Sequence, residues 1–241
     1  MAKTCVAFPV LPGKEDMAAK ELPDYSRAHM DEYAESRGRA GITLERVYGM
    51  HTPMGYFNIL YSEGAGGFVE SILALTTSDL DFDKYSFGKI QEITGIDFTQ
   101  PPPGPPPELV GEWWDPTVTE RRPGLAFCVP VMPGKSEAAR AFAREAFVNR
   151  VAEHAESRRA LGINGEVVFL QPTPMGDLVC AYLEGNDPVA GNRKFAASQS
   201  PYDRWFKDQL AEVFPPDISF DEPVPPVEQL FEWSAAPAAV G

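Results

Sequence analysis

The sequence predicts an α+β fold built from two tandem copies of one β-α-β-β-α-β unit. Three observations carry this. The residues Thr-Pro-Met-Gly occur twice, at 52–55 and 173–176, each time between two apolar, β-rich runs, where a hairpin turn belongs. One gapless shift of 121 residues (130 minus 9) lays Pro9-Val10-Leu11-Pro12-Gly13-Lys14 on Pro130-Val131-Met132-Pro133-Gly134-Lys135. In that register about 22 of about 56 positions from Pro9 to Gly64 are identical. The chain is 44% hydrophobic and 23% charged, the balance of a globular protein able to bury a core.

Each element follows in order. Residues 5–10 are short, apolar and partly β-branched, and Pro9 closes them: strand one, matched by 125–131. A Pro-Gly-Lys turn leads to a long helix. Its second copy, 136–161, lacks Pro and Gly, is rich in Ala, and meets Gly162 as a stop; about 26 residues make about 39 Å of helix. The first copy carries Pro23, which is expected to break or kink the helix near Leu22. Strand two spans 45–51 and 166–171. In the Thr-Pro-Met-Gly turn, Pro at the second position and Gly at the fourth suit a type I turn. Strand three spans 56–63 and 177–184. Its run Leu178-Val179-Cys180-Ala181-Tyr182-Leu183 is apolar on both alternations, so both faces are expected to be covered.

Shorter helices follow. Ser200-Pro201-Tyr202-Asp203 is a helix start, with Ser as cap and Pro at the first position. After a one-residue slip, Phe82-Asp83-Lys84-Tyr85 lies on Tyr202-Asp203-Arg204-Trp205. Residues 97–99 and 217–220 are expected as a fourth strand, and 101–107 as polyproline II. The arms end in Glu112-Trp113-Trp114 and Phe231-Glu232-Trp233, acidic-aromatic anchors expected to dock on the body or on the other unit. The units are therefore residues 1–120 and 121–241, each with a proline-rich arm.

This order is the ferredoxin-like plan. With its duplication and its strand apolar on both faces, the chain resembles the dimeric α/β-barrel superfamily, here with the two halves fused. The resemblance covers nearly the whole chain. It implies two ferredoxin-like repeats packed sheet to sheet as an intrachain barrel, and a monomer or loose homodimer. The superfamily includes cofactor-free monooxygenases acting on aromatic polyketides, haem-dependent and haem-degrading enzymes, and ring isomerases. None of its motifs transfers residue by residue.

Net charge is −14, which repels phosphate backbones and anionic lipid, so no nucleic-acid or membrane role is expected. No apolar run approaches the roughly 20 residues that span a bilayer. Met1-Ala2-Lys3-Thr4 leads straight into an apolar strand, without the pattern of a secretory signal. Cys5, Cys128 and Cys180 are odd in number and show no CxxC spacing. Reduced, buried thiols in a cytoplasmic protein are expected. His29, His51 and His154 offer no metal-binding spacing, and no phosphate loop or nucleophile elbow is present.

Positions alike in both copies serve the fold; positions that differ can serve a site. Met50, His51, Tyr56 and Asn58 stand where the second copy has Gln171, Pro172, Asp177 and Val179. Across a tight hairpin His51, Tyr56 and Asn58 can converge, with His51 as general base and Tyr56 or Asn58 as oxyanion donor. Drift at a water-exposed hairpin end is the alternative. Tyr33 aligns with His154, and His154 shares a helix face with Arg158 at i, i+4. The alternative for His154 is a surface histidine, and for Arg158 a helix-end salt bridge. Met50, Tyr33, Tyr61, His154, Arg158 and Tyr182 are the candidate substrate-binding residues. The expected activity is acid–base chemistry on a small, largely apolar or aromatic molecule, of monooxygenase or isomerase type, without cofactor. A non-catalytic small-molecule-binding or stress-related protein, and a haem protein with one axial histidine, are the alternatives.

Overall fold

A computed structural model describes residues 1–100 and 104–235. The elements are β1 (Ala2–Pro9), α1 (Leu22–Ala28), α2 (Met30–Arg39), β2 (Ile42–Thr52), β3 (Gly55–Gly64), α3 (Phe68–Thr76), α4 (Asp81–Thr94) and β4 (Glu108–Trp114) in the first half. The second half repeats them as β5 (Gly124–Pro130), α5 (Ser136–Arg144), α6 (Val151–Leu161), β6 (Ile163–Gln171), β7 (Leu178–Gly185), α7 (Pro188–Ala197), α8 (Pro201–Val213) and β8 (Val227–Ser234). The fold is α+β, a duplicated ferredoxin-like plan with two four-stranded sheets, ordered β1-β3-β2-β8 and β4-β6-β7-β5.

The expected fourth strands do not form at 97–99 and 217–220. The strands form farther along, in the arms. Each arm strand borders the second strand of the other repeat: β8 lies beside β2, and β4 beside β6. The reason is the sheet edge. Without the arms, β2 and β6 would present unpaired backbone groups. The compact units are thus residues 1–106 with the β8 segment, and 107–227. The boundaries read from the sequence count each arm with the repeat before it; the compact units count each arm strand with the other repeat. Of 101–107, residues 101–103 lie outside the described residues, and 104–107 carry neither helix nor strand.

The hairpins form at both Thr-Pro-Met-Gly turns. Thr52 Oγ1 accepts from the Met54 amide at 3.1 Å, and Thr173 Oγ1 from the Met175 amide at 3.2 Å. Gly55 and Gly176 close them at φ 121° and 116°, a region that favours glycine.

The long helix is corrected in both copies. Residues 17–21 and 145–149 form π turns, and the helix breaks at the equivalent residues His29 (φ −120°) and Arg150 (φ −110°). Pro23 does not break it. The wide turn, in which the Leu22 amide reaches Met17 O, leaves the chain helical through the proline.

In each unit the helices cover one sheet face. In the first, one cluster joins Val10, Ala18, Tyr56 and Ile93, and another joins Tyr33, Phe82 and Phe231. In the second, Trp113, Ala146, Phe147, Tyr202 and Phe206 form the centre. The opposite sheet faces are buried too: Cys5, Ala7, Tyr48, Phe57, Ile59 and Tyr61 in the first unit, and Val167, Phe169, Cys180 and Tyr182 in the second. All three cysteines are buried, and burial pushes the Cys128 thiol up to about 12. Among the described residues no helix is long and apolar enough to cross a membrane.

Candidate active site

The β2–β3 hairpin brings three of the predicted residues together. His51 pairs with Tyr56 and Gly49 with Asn58 in the antiparallel register. Strand alternation places His51, Tyr56 and Asn58 on the helix-facing side. The His51 and Tyr56 rings meet edge to face at 4.7 Å, with His51 exposed and Tyr56 buried. The Tyr56 ring folds back over Gly49, where a Cβ would stand 1.8 Å from its hydroxyl oxygen. Burial, with Glu228 nearby, raises the Tyr56 phenol above its ordinary value. Asn58 Oδ1 is buried without a hydrogen-bond partner. The second unit differs by packing. Leu170, fully buried, stands in place of Gly49, and Asp177 in place of Tyr56, where it accepts a hydrogen bond from Ser136.

The other predicted residues do not join this group. Met50 and Tyr61 lie on the opposite face of the first sheet, and Tyr182 on the opposite face of the second. Tyr61 donates to Glu63 at 2.5 Å, and Tyr182 to Glu184 at 2.8 Å.

Tyr33, His154 and Arg158 belong to a buried ionic network that occurs once in each unit. In the first, Tyr33 donates to Glu45 Oε1 at 2.5 Å, and Arg37 Nε to Glu45 Oε2 at 3.0 Å. Ser36 Oγ donates to Asp83 Oδ1 at 2.6 Å. Burial raises the Tyr33 phenol well above its ordinary value, so it remains the donor. In the second, Arg158 donates to Glu166, and Ser157 Oγ to Asp203 Oδ1 at 2.5 Å. His154 is no surface residue: it is 0% exposed. Its Nδ1 is 3.0 Å from the Tyr202 hydroxyl. Its Nε2 is 3.3 Å from Glu166 Oε2, near enough to feel its charge but outside hydrogen-bond geometry. Burial, helped by Arg158, lowers the His154 pKa, so the ring is neutral. For Glu166 burial alone would raise the carboxyl, but the Arg158 guanidinium beside it brings it down to about 2.

Sequence reading missed the acidic members of this network. The available signal was Glu45 and Glu166, identical in both copies and set in apolar strands. Among the described residues no group of three or more His, Cys, Asp or Glu could hold a metal ion.

The two units also differ between helix layer and sheet. β3 is an interior strand, yet Asn58, Leu60 and Ser62 on its helix side are each only half-buried. Of their counterparts on β7, Val179 is half-buried while Ala181 and Leu183 are buried. Half-buried rings surround the open stretch: Phe8 meets Phe98 edge to face at 5.3 Å and Phe68 at 6.5 Å, and Phe87 meets Phe98 at 6.0 Å. The first unit therefore has a partly open aromatic cleft along β3, with the hairpin group at one end.

No protein-family model matches this sequence, and no curated protein matches it. Solved structures do. An anthrone oxidase-like protein superposes with a TM-score of 0.52 at 13% identity, over 99% of this chain and 96% of its own. Two provisionally assigned monooxygenases also match, both with a TM-score of 0.48. The one from Fusobacterium nucleatum subsp. nucleatum is 9% identical and covers 97% of each chain. The one from Lactobacillus acidophilus is 10% identical and covers 96% of this chain and 94% of its own. The likeness to the first is one of fold.

Proposed function

We propose that the chain is an enzyme of monooxygenase type acting on a small, largely apolar or aromatic molecule by acid–base chemistry in the first unit. One observation carries the reading. At the hairpin end of the cleft, a solvent-reached imidazole, a phenol, and an amide whose oxygen has no hydrogen-bond partner stand together on one sheet face. A protein named for its likeness to an anthrone oxidase shares the fold, which supports an aromatic substrate.

In this reading His51 takes a proton from an acidic carbon or a phenol. The Asn58 amide N–H and the Tyr56 hydroxyl donate to the oxyanion that forms. The enolate gives electrons to dioxygen. One oxygen atom ends in the product carbonyl and the other, with the two hydrogens lost by the substrate, in water. No residue of the chain is oxidised, so no tightly held cofactor is required.

The test uses anthrone as probe, with oxygen uptake and quinone formation as readouts. His51→Ala is expected to lower kcat by about 10²-fold or more, and Asn58→Val, the second unit's residue, to lower it as well. An unchanged rate in His51→Ala removes it from the mechanism. If anthrone shifts the melting temperature and no product forms, the chain is a binding protein instead.

A further inference from the structure

We infer that the first unit alone binds a flat aromatic hydroxy compound, one per chain, in the cleft between α3, α4 and β3, and that residue 86 decides which unit can do so. The inference deepens the proposed function by naming the ligand class of the same cleft.

The second unit shows what fills the equivalent space. Phe206 of α8 is buried there. Its ring meets Phe142 at 4.7 Å and Phe195 at 5.7 Å, and the Arg158 guanidinium lies over it at 4.6 Å. The slipped register that places Asp83 on Asp203 puts Ser86 at this position. Arg37 stacks on Tyr33 instead, at 4.1 Å. Loss of a phenyl group from a packed layer leaves room unless its surroundings collapse. Around Ser86 itself the surroundings do close, for its hydroxyl oxygen is buried, but Leu60 and Ser62 on the interior strand remain half-exposed.

The helix above the space is held differently in the two units. α7 comes close at Gly191, where a Cβ would stand 2.7 Å from Ile163 Cδ1. Lys207 then ties the end of α7: its Nζ donates to Ala196 O at 2.8 Å, Ser198 O at 2.9 Å and Asp221 at 2.8 Å. α3 contains no glycine, and Phe87 stands in place of Lys207. The outer side of α3 leaves Leu73 61% exposed. α3 is the element able to yield to a ligand.

The polar chemistry selects a hydroxyl group. Asp203 Oδ2 accepts from Ser198 at 2.5 Å and Ser200 at 2.8 Å. In the first unit Leu80 replaces Ser200, and Ser78 Oγ accepts from the Leu80 amide. Asp83 Oδ2 and Ser86 Oγ are left buried without partners, on residues 2% and 5% exposed. At i and i+3 they share one face of α4. One is an acceptor only; the other can donate. A ligand hydroxyl, donating to Asp83 and accepting from Ser86, satisfies both, and leaving either unsatisfied is costly. The surrounding rings of Phe8, Phe68 and Phe87 select a flat apolar body. From Asn58 to Ser62 the strand is about 13 Å long, room for two or three fused rings.

The experiment is calorimetric titration of the intact chain with 2-naphthol. One ligand per chain is expected, with 2-methoxynaphthalene, which cannot donate, binding about 10-fold or more weakly. Ser86→Phe and Ser62→Leu, each the second unit's residue, are expected to keep the fold by circular dichroism and to weaken binding at least ~10-fold. Two sites in the wild type, no binding at all, or native affinity in whichever of the two variants folds, would overturn the inference. Equal affinity for the methoxy compound would overturn the hydroxyl assignment. Titration reads occupancy without turnover, so this inference and the acid–base reading can fail separately.

Discussion

Tyr56 occupies the space that a side chain at Gly49 would need: a Cβ there would lie 1.8 Å from the Tyr56 hydroxyl oxygen. In the second unit the pair is Leu170 and Asp177, a large residue where the first has none and a short one where the first has a ring. Gly49→Leu is therefore expected to expel the ring and cost about 2 kcal/mol or more by overpacking. Gly49→Leu with Tyr56→Asp, the second unit's pair, is expected to recover part of that loss. Urea denaturation of the single and double variants measures the coupling; simple additivity would show that the two positions do not share one space.

The buried ion pairs are costly to break from one side. Arg158→Met strands Glu166 without its counter-charge in the core, and a loss of about 3–5 kcal/mol is expected. Arg37→Met strands Glu45 in the same way. Arg39, by contrast, pairs with Glu35 in water, and Arg39→Met is expected to change stability by less than about 1 kcal/mol. Equal losses for Arg158→Met and Arg39→Met would contradict the buried assignment.

Acid is expected to destabilise the second unit in two stages. The folded state holds His154 neutral, below its ordinary value. Its contribution is fully present above the unfolded histidine pKa and is lost as pH falls below that value. Glu166 is held at about 2 against an ordinary 4.5, so its contribution, about 3 kcal/mol, is lost between about pH 4.5 and 2. His154→Tyr, which copies Tyr33, is expected to remove the first stage and spare the second. Melting temperatures from pH 8 to 3 check this; an unaltered profile in His154→Tyr would exclude His154 as the first titrating group.

Lys207 holds the end of α7 through two main-chain carbonyls. Lys207→Met keeps the apolar stem and removes the donor, at an expected cost of about 1–3 kcal/mol. Amide hydrogen exchange in 188–197 is expected to accelerate, while that in 163–171 is unaffected.

Much of the fold was legible because its signals are local or repeated. Thr-Pro-Met-Gly encodes its turn in four residues, through a proline with its φ already set and a glycine that accepts a positive φ. The one-register repeat exposed the strands on either side. The convergence of His51, Tyr56 and Asn58 followed from strand alternation alone. The cleft was also marked in the repeat, at Leu60, Ser62 and Ser86 against Ala181, Leu183 and Phe206. Those exchanges acquire meaning only when α4 is known to lie over β3.

The sequence by itself determined the duplication, the hairpins, the helix starts and the positions where the copies differ, because each depends on neighbours a few residues apart. Tertiary structure decided the rest. It placed the arm strands against β2 and β6, since an unpaired sheet edge can be satisfied only by a segment far along the chain. It carried the helix through Pro23 behind a wide turn at 17–21, where the sequence alone called for a break or kink. It made His154 a buried neutral partner of Glu166, since burial and opposing charge are properties of position in space and not of spacing in sequence.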